Sequence, residues 1–156
     1  MAANLPKHIK SLAILIRQHK WLLEERRRAL NQLFAERDMI QGHIDRTDAK
    51  IVSERAFLTQ QLGHDDYHHS ARIFADFATE AREFRAGQVV RLGEVNKQIR
   101  AAQDLVTEAY RDLKKHQVAQ DAARVQEKSE ADHREQIRLD DMALDGFRAR
   151  NGRESM

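Results

Sequence analysis

Two stretches of this 156-residue chain, 7–41 and 94–145, contain neither glycine nor proline. No other feature constrains the fold as much. Sheet proteins reverse direction often, and the reversals need Gly, Pro and Asn. With six glycines and a single proline, Pro6, the chain lacks the turns for a sandwich or a barrel. It can instead form long, uninterrupted helix. Charged residues make up 33 %, the apolar set 41 %, and aromatics only 6 %. Such a breaker-poor, charge-rich composition suits long helices and coiled coils.

One interior segment concentrates turn chemistry. Residues 62–70 read Leu-Gly-His-Asp-Asp-Tyr-His-His-Ser. Gly63 suits the position just after a helix, where the left-handed conformation is needed. Asp65, Asp66 and Ser70 are N-cap candidates for the next helix.

A 3-4 spacing runs without a slip on the N-terminal side of this break. One set is Ile9, Ile16, Leu23, Leu30, Arg37, Ile44, Ile51 and Leu58, apolar everywhere but Arg37. The other is Leu5, Leu12, His19, Arg26, Leu33, Ile40, Thr47, Glu54 and Gln61. Such a sustained heptad seam is the signature of a coiled coil. On the C-terminal side one set is Phe74, Ala81, Gln88, Val95, Ala102, Ala109, His116, Ala123, Glu130, Ile137 and Leu144. Its companion is Ala78, Arg85, Leu92, Ile99, Val106, Leu113 and Gln120. This second seam is richer in Ala and turns polar after Leu113. Gly87 and Gly93 predict a soft spot or bend, since each costs about 1 kcal/mol relative to Ala inside a helix.

Two apolar seams joined by one short loop must pack antiparallel. The expected fold is all-α: one elongated domain forming a two-helix coiled-coil hairpin. Its expected parts are helix one at about 5–62, a loop at about 63–70, helix two at about 71–148, and a disordered end at 149–156. At ~1.5 Å per residue the helices are roughly 85 Å and 115 Å long. Folding about the loop sets the start of helix one opposite about Lys128. The C-terminal helix therefore overhangs, still carrying Ile137, Leu139, Met142, Leu144 and Phe147. An uncovered apolar stripe suits a protein partner, and a frayed, solvated tail is the plainer alternative.

The chain has no cysteine, which removes disulfides and thiolate metal sites. Lys plus Arg is 27 and Asp plus Glu is 25. That balance does not demand nucleic acid or an anionic membrane. The most apolar run, 12–16, is far shorter than the ~20 residues of a membrane span. It also lacks a small-residue cleavage site, so no signal peptide is expected. No phosphate loop, G-x-S-x-G or H-E-x-x-H motif is present. A two-helix hairpin has no deep pocket for chemistry. No enzyme activity, cofactor or small-molecule ligand is expected. His64, Asp65, Asp66, His68 and His69 have metal-ligating atoms but not the spacing, and they are expected to be a polar loop.

Arg26, Arg27 and Arg28 splay over ~300° of helix arc, so they form no phosphate-reading stripe. Glu24 is placed to pair with Arg28 at i,i+4. The cluster is a solvated face or a grip on an acidic protein surface. Trp21 and Ile14 fall opposite the seam, and Leu15 and Leu22 fall beside it. Helix one is therefore apolar nearly all round near its start, and such a helix is normally covered on all sides. A second protein, self-association or a local fold-back would cover it. Ile73, Phe74, Phe77, Ala81 and Phe84 form a second apolar patch early in helix two. It either plugs the hairpin tip or docks a helix or loop of a partner.

The opening 15–21, Leu-Ile-Arg-Gln-His-Lys-Trp, is followed at 24–30 by Glu-Glu-Arg-Arg-Arg-Ala-Leu. This opening resembles N-termini of the flagellar FliJ family, particularly its alphaproteobacterial branch. The tail 134–143, Arg-Glu-Gln-Ile-Arg-Leu-Asp-Asp-Met-Ala, is similar to the family's C-terminal pattern. The resemblance implies a soluble component of the flagellar type III export apparatus, cytoplasmic and peripherally associated with the inner-membrane export gate. It implies a stalk-like coiled coil whose paired helix ends enter the ring of the export ATPase. It also implies contact with the gate's cytoplasmic domain and escort of export chaperones. Carried over, the ATPase-facing residues would be Leu15, Trp21, Leu22, Arg26, Arg27, Arg28, Ile137, Leu139 and Met142. The gate and chaperone surface would be Ile73, Phe74, Phe77, Ala81 and Phe84. A homodimeric adaptor coiled coil in another assembly is the alternative. A nucleic-acid-binding hairpin, whose binding would fall steeply with salt, is a third reading.

Overall fold

The computed structural model describes the backbone over residues 5–154 and side chains over 6–152. Two helices account for nearly all of it: α1, Leu5–Gln60, and α2, Tyr67–Glu154. There is no strand among the described residues. The helices pack against each other as an antiparallel coiled-coil hairpin, and α2 overhangs. Pro6 lies in the first turn of α1, where its missing N–H leaves no intrahelical bond unmade.

The turn spans 61–66, somewhat tighter and earlier than the expected loop at 63–70. At its start, Gln61 N–H donates to Leu58 O (3.1 Å) and Leu62 N–H to Thr59 O (3.3 Å). These i→i+3 bonds end α1 at Gln60 rather than residue 62. Gly63 then takes φ +87°, the left-handed conformation that reverses the chain. Ser70 N–H donates to Asp66 O (3.0 Å), so Asp66 holds the N-cap position. Ser70 therefore sits within the first turn, and α2 begins at Tyr67 instead of residue 71. At the far end α2 stays helical to Glu154, past the expected limit at 148; residues 155–156 lie outside the described residues. α2 also runs through Gly87 and Gly93 without a break.

Contacts fall into two compact units: Met1–Leu23 with Glu108–Met156, and Glu24–Thr107. In the second unit the core is Ile40, Ile44, Val95 and Ile99, with Leu30, Leu33, Phe34 and Leu92 packed against it. Ile40 is only 2 % exposed. Burying a side chain of that size stabilises by roughly 1.5–3 kcal/mol. Two interhelical ion pairs flank this core. Arg85 Nε donates to Asp48 Oδ1 (2.6 Å), and Arg91 Nη2 to Glu36 Oε1 (2.7 Å). Together they bind α1 to α2 in a single antiparallel register.

In the first unit, Leu12, Ile16 and Leu23 of α1 are buried with Ala109, Leu113, Gln120 and Ala123 of α2. Here α2 contributes two alanines, one leucine and the polar Gln120. The heptad readings hold except at Glu54 of α1, which is exposed, and beyond Glu130 of α2, while Leu5 lies outside the described side chains. Every position of the Ile9–Leu58 set is buried or half-buried, and so is the α2 seam through Glu130. From 131 to 152 every side chain is exposed. The seam residues Ile137 and Leu144 thus outlast their partner helix.

Candidate functional site

Trp21 lies on the side of α1 turned away from the seam, and Leu15 and Leu22 lie beside the seam. Trp21 is 65 % exposed, and Ile14 and Leu15 are exposed as well. Leu22 is half-buried. Arg17, Gln18, Trp21 and Leu22 line a shallow, largely apolar depression. A heptad frame that buries Leu12, Ile16 and Leu23 forces this outcome, because Ile14 and Trp21 then point outward.

Ile137, Leu139 and Met142 belong to the same unit but are not beside Trp21. His19 of α1 lies against His116 of α2, so Ile137 is some six turns farther along α2. All three tail residues are exposed. They do not make one clean stripe, since Leu139 and Met142 point to a different side of the helix from Ile137 and Leu144. Arg138–Glu135 (2.8 Å) and Arg148–Asp145 (3.9 Å) pairs line the tail between these apolar residues.

Arg26, Arg27 and Arg28 fall in the other unit. Arg26 is half-buried on the seam side, whereas Arg27 and Arg28 are exposed. The expected Glu24–Arg28 pair is not formed. Instead Arg27 Nη1 reaches Glu24 Oε1 and Arg28 Nη1 reaches Glu25 Oε1, each at 2.8 Å and i,i+3. Each arginine takes the glutamate one turn before it, which offsets both charges locally. Exposed pairs of this kind stabilise by a few tenths of a kcal/mol.

The second patch sits at the start of α2. Ile73 and Phe84 are exposed, Phe74 and Phe77 half-buried. Ala81 departs from the rest: at 9 % exposure it faces α1 as a seam residue. Ile73, Phe74 and Phe77 line a groove of about 300 Å³ between the helices, closed on the α1 side by Lys50, Glu54, Phe57 and Leu58, whereas Ala81 and Phe84 lie outside it. Lys50 Nζ lies 5.1 Å from the centre of the Phe77 ring, a cation–π contact. Phe84 meets His43 edge-on at 6.2 Å. The sequence reading missed Lys50 and Phe57. Reflecting α1 through the middle of the turn, at Asp65, would have found them, because it brings Phe57 level with Ile73.

Asp48 and Arg85 are the one pair here with a marked electrostatic effect. The hydrogen bond that Arg85 donates to Asp48, and that carboxylate's negative charge, push the Arg85 guanidinium pKa above its ordinary value. Among the described residues no three His, Asp or Glu side chains converge as metal ligands. No helix among them is long and apolar enough to cross a membrane.

The family model described as "Flagellar FliJ protein" matches residues 8–152, nearly the whole chain. The chain belongs to the FliJ family. No curated protein and no solved structure matches it. FliJ membership carries an export-related function in the flagellum. It also fits a helical hairpin that leaves large apolar side chains such as Trp21 exposed. In this FliJ-family chain the two terminal surfaces flank a paired coiled coil, and the groove lies beside the turn.

Proposed function

We propose that this protein is a stalk-like component of the flagellar type III export apparatus that binds the export ATPase ring and the export gate and escorts export chaperones. The observation that carries the reading is the FliJ family match over residues 8–152. The exposed Trp21 and the unpartnered helix from 131 to 152 support it, since both leave apolar surface for another protein. Leu15, Trp21, Leu22, Arg26, Arg27, Arg28, Ile137, Leu139 and Met142 would face the ATPase. Ile73, Phe74, Phe77 and Phe84 would face the gate or a chaperone, with Ala81 packing behind them. The site of action is the cytoplasmic face of the inner membrane.

The mechanism is mechanical. A hairpin has no six-fold symmetry, so inside a hexameric ring it touches the subunits unequally. Unequal contact favours one subunit conformation over another and shifts the ring's populations toward it. ATP chemistry belongs to the ring.

Trp21→Ala and Leu139→Asp test this. Both side chains are exposed, so helicity by circular dichroism should be retained. Co-purification with the export ATPase and stimulation of its hydrolysis should both fall. Unchanged binding and unchanged stimulation would sink the proposal.

A further inference from the structure

α2 carries a second 3-4 spacing on the side turned away from α1. It passes through Val118, Ala122, Val125 and Ser129 where α2 is still paired. It continues through Gln136, Leu139 and Ala143 of the overhang without a slip. Only Asp132, at its middle, is charged. Every side chain in it is exposed, and Val118, Val125 and Leu139 are each more than half exposed. Helix propensity does not call for this, because valine is a weaker helix former than the Lys, Arg and Glu around it. A heptad-spaced face of small and apolar residues is what a second coiled-coil seam needs.

The order of residues along this face says what can cover it. Laid antiparallel on itself about a two-fold axis between residues 130 and 131, the face meets a second copy in complementary layers. Val118 of one copy falls opposite Ala143 of the other, Ala122 opposite Leu139, and Val125 opposite Gln136. Large meets small in the first two layers, which fills the space between the helices. Ser129 falls opposite Asp132, whose carboxylate can accept from the hydroxyl. Beside the face, Lys128 falls opposite Glu135, and the two-fold axis makes that pair twice. Lys128 forms no ion pair within its own chain among the described residues. Glu135 already meets Arg138 (2.8 Å), but a carboxylate has acceptor sites for both.

Other pairings lose these matches. A parallel, in-register pair sets Asp132 against Asp132, where like charges repel. Sliding the antiparallel pair by one heptad sets Ala122 opposite Asp132 in one direction and Ser129 opposite Leu139 in the other. Farther out, Arg111 falls opposite Arg150, which ends the seam.

We propose that residues 118–143 of α2 form a self-association seam, along which two copies of this chain pair antiparallel on the faces that their own hairpins leave open. The apolar layers are few, so the dimer is weak and concentration-dependent, at the low end of specific interfaces. Leu139 belongs both to this seam and to the proposed ATPase-facing surface, so pairing covers part of that surface; only this consequence rests on the export reading.

Cross-linking of the full chain without any partner tests the seam, since the chain has no cysteine of its own. Val125→Cys and Gln136→Cys replace exposed side chains, and circular dichroism should show both variants still helical. Mixed at high concentration and oxidised, they should form a disulfide-linked pair roughly fivefold or more faster than either variant alone. In the proposed register each position lies about 16 Å along the axis from its own copy, too far for a disulfide. In sedimentation equilibrium, Lys128→Glu should lower the association constant roughly threefold to tenfold, and adding Glu135→Lys should recover most of it. Monomer at every concentration, equal cross-linking of the single variants and the mixture, or no recovery on charge exchange would overturn the proposal.

Discussion

Single residues set the turn and the core, and their roles differ in kind. Gly63 is needed for its backbone, since at φ +87° an L side chain is strained whatever space surrounds it. Gly63→Ala should lower stability by about 1–2 kcal/mol in urea denaturation. Gly87 and Gly93 are needed for nothing visible. A Cβ built at either would meet nothing within 4 Å, and both lie inside continuous helix. Gly87→Ala and Gly93→Ala should each raise stability by about 0.5–1 kcal/mol in the same assay. A loss instead would show that one of these positions has a constraint beyond helix propensity. Ile40 is the opposite case, needed for its side chain. Ile40→Ala should cost about 2–5 kcal/mol, because a cavity would open in the best-packed part of the seam. Gly63 was legible in the sequence because its neighbours are turn formers. The Glu24–Arg27 and Glu25–Arg28 pairings were not, because i,i+3 and i,i+4 partners differ only by side-chain rotamer.

The two helices differ more in what covers them than in what they are made of. α1 finds a partner along its described length, whereas α2 loses its partner beyond residue 130. An unpacked helix relies on propensity and on local pairs such as Glu135–Arg138, which is marginal in water. Deleting 131–156 should therefore change hairpin stability by no more than about 0.5 kcal/mol. The same deletion should abolish or strongly weaken binding to the export ATPase. A large loss of stability would mean the tail folds back onto the seam; unaltered binding would count against its role in docking. The overhang was legible by arithmetic, because helix one is shorter than helix two on either side of one turn. The groove at Phe57 was not, because it exists only where two helices lie side by side.

Across the whole molecule, seam composition divides the chain. The second unit packs Ile40 and Ile44 against Val95 and Ile99, with Ala78 and Ala81 also buried, while the first buries Leu12, Ile16 and Leu23 with Ala109, Leu113 and Ala123. The first unit also holds the His19–His116 layer and buried Gln120, which bury less apolar area. At neutral pH, hydrogen-exchange protection over 36–48 and 92–99 should exceed that over 12–23 and 109–120. Equal protection would mean that the two units open as one.

The sequence by itself determined the helices, their antiparallel pairing, the seam and the FliJ resemblance. These follow from local rules, namely the spacing of apolar residues and the position of the one turn-forming cluster, which any short window of chain obeys. Only the tertiary structure decided that Phe57 and Lys50 complete the groove and that His19 meets His116. Each of those depends on the axial register and rotation of one helix against the other. Side-chain packing and interhelical pairs such as Arg85–Asp48 set that register, and no periodicity within a single helix contains it.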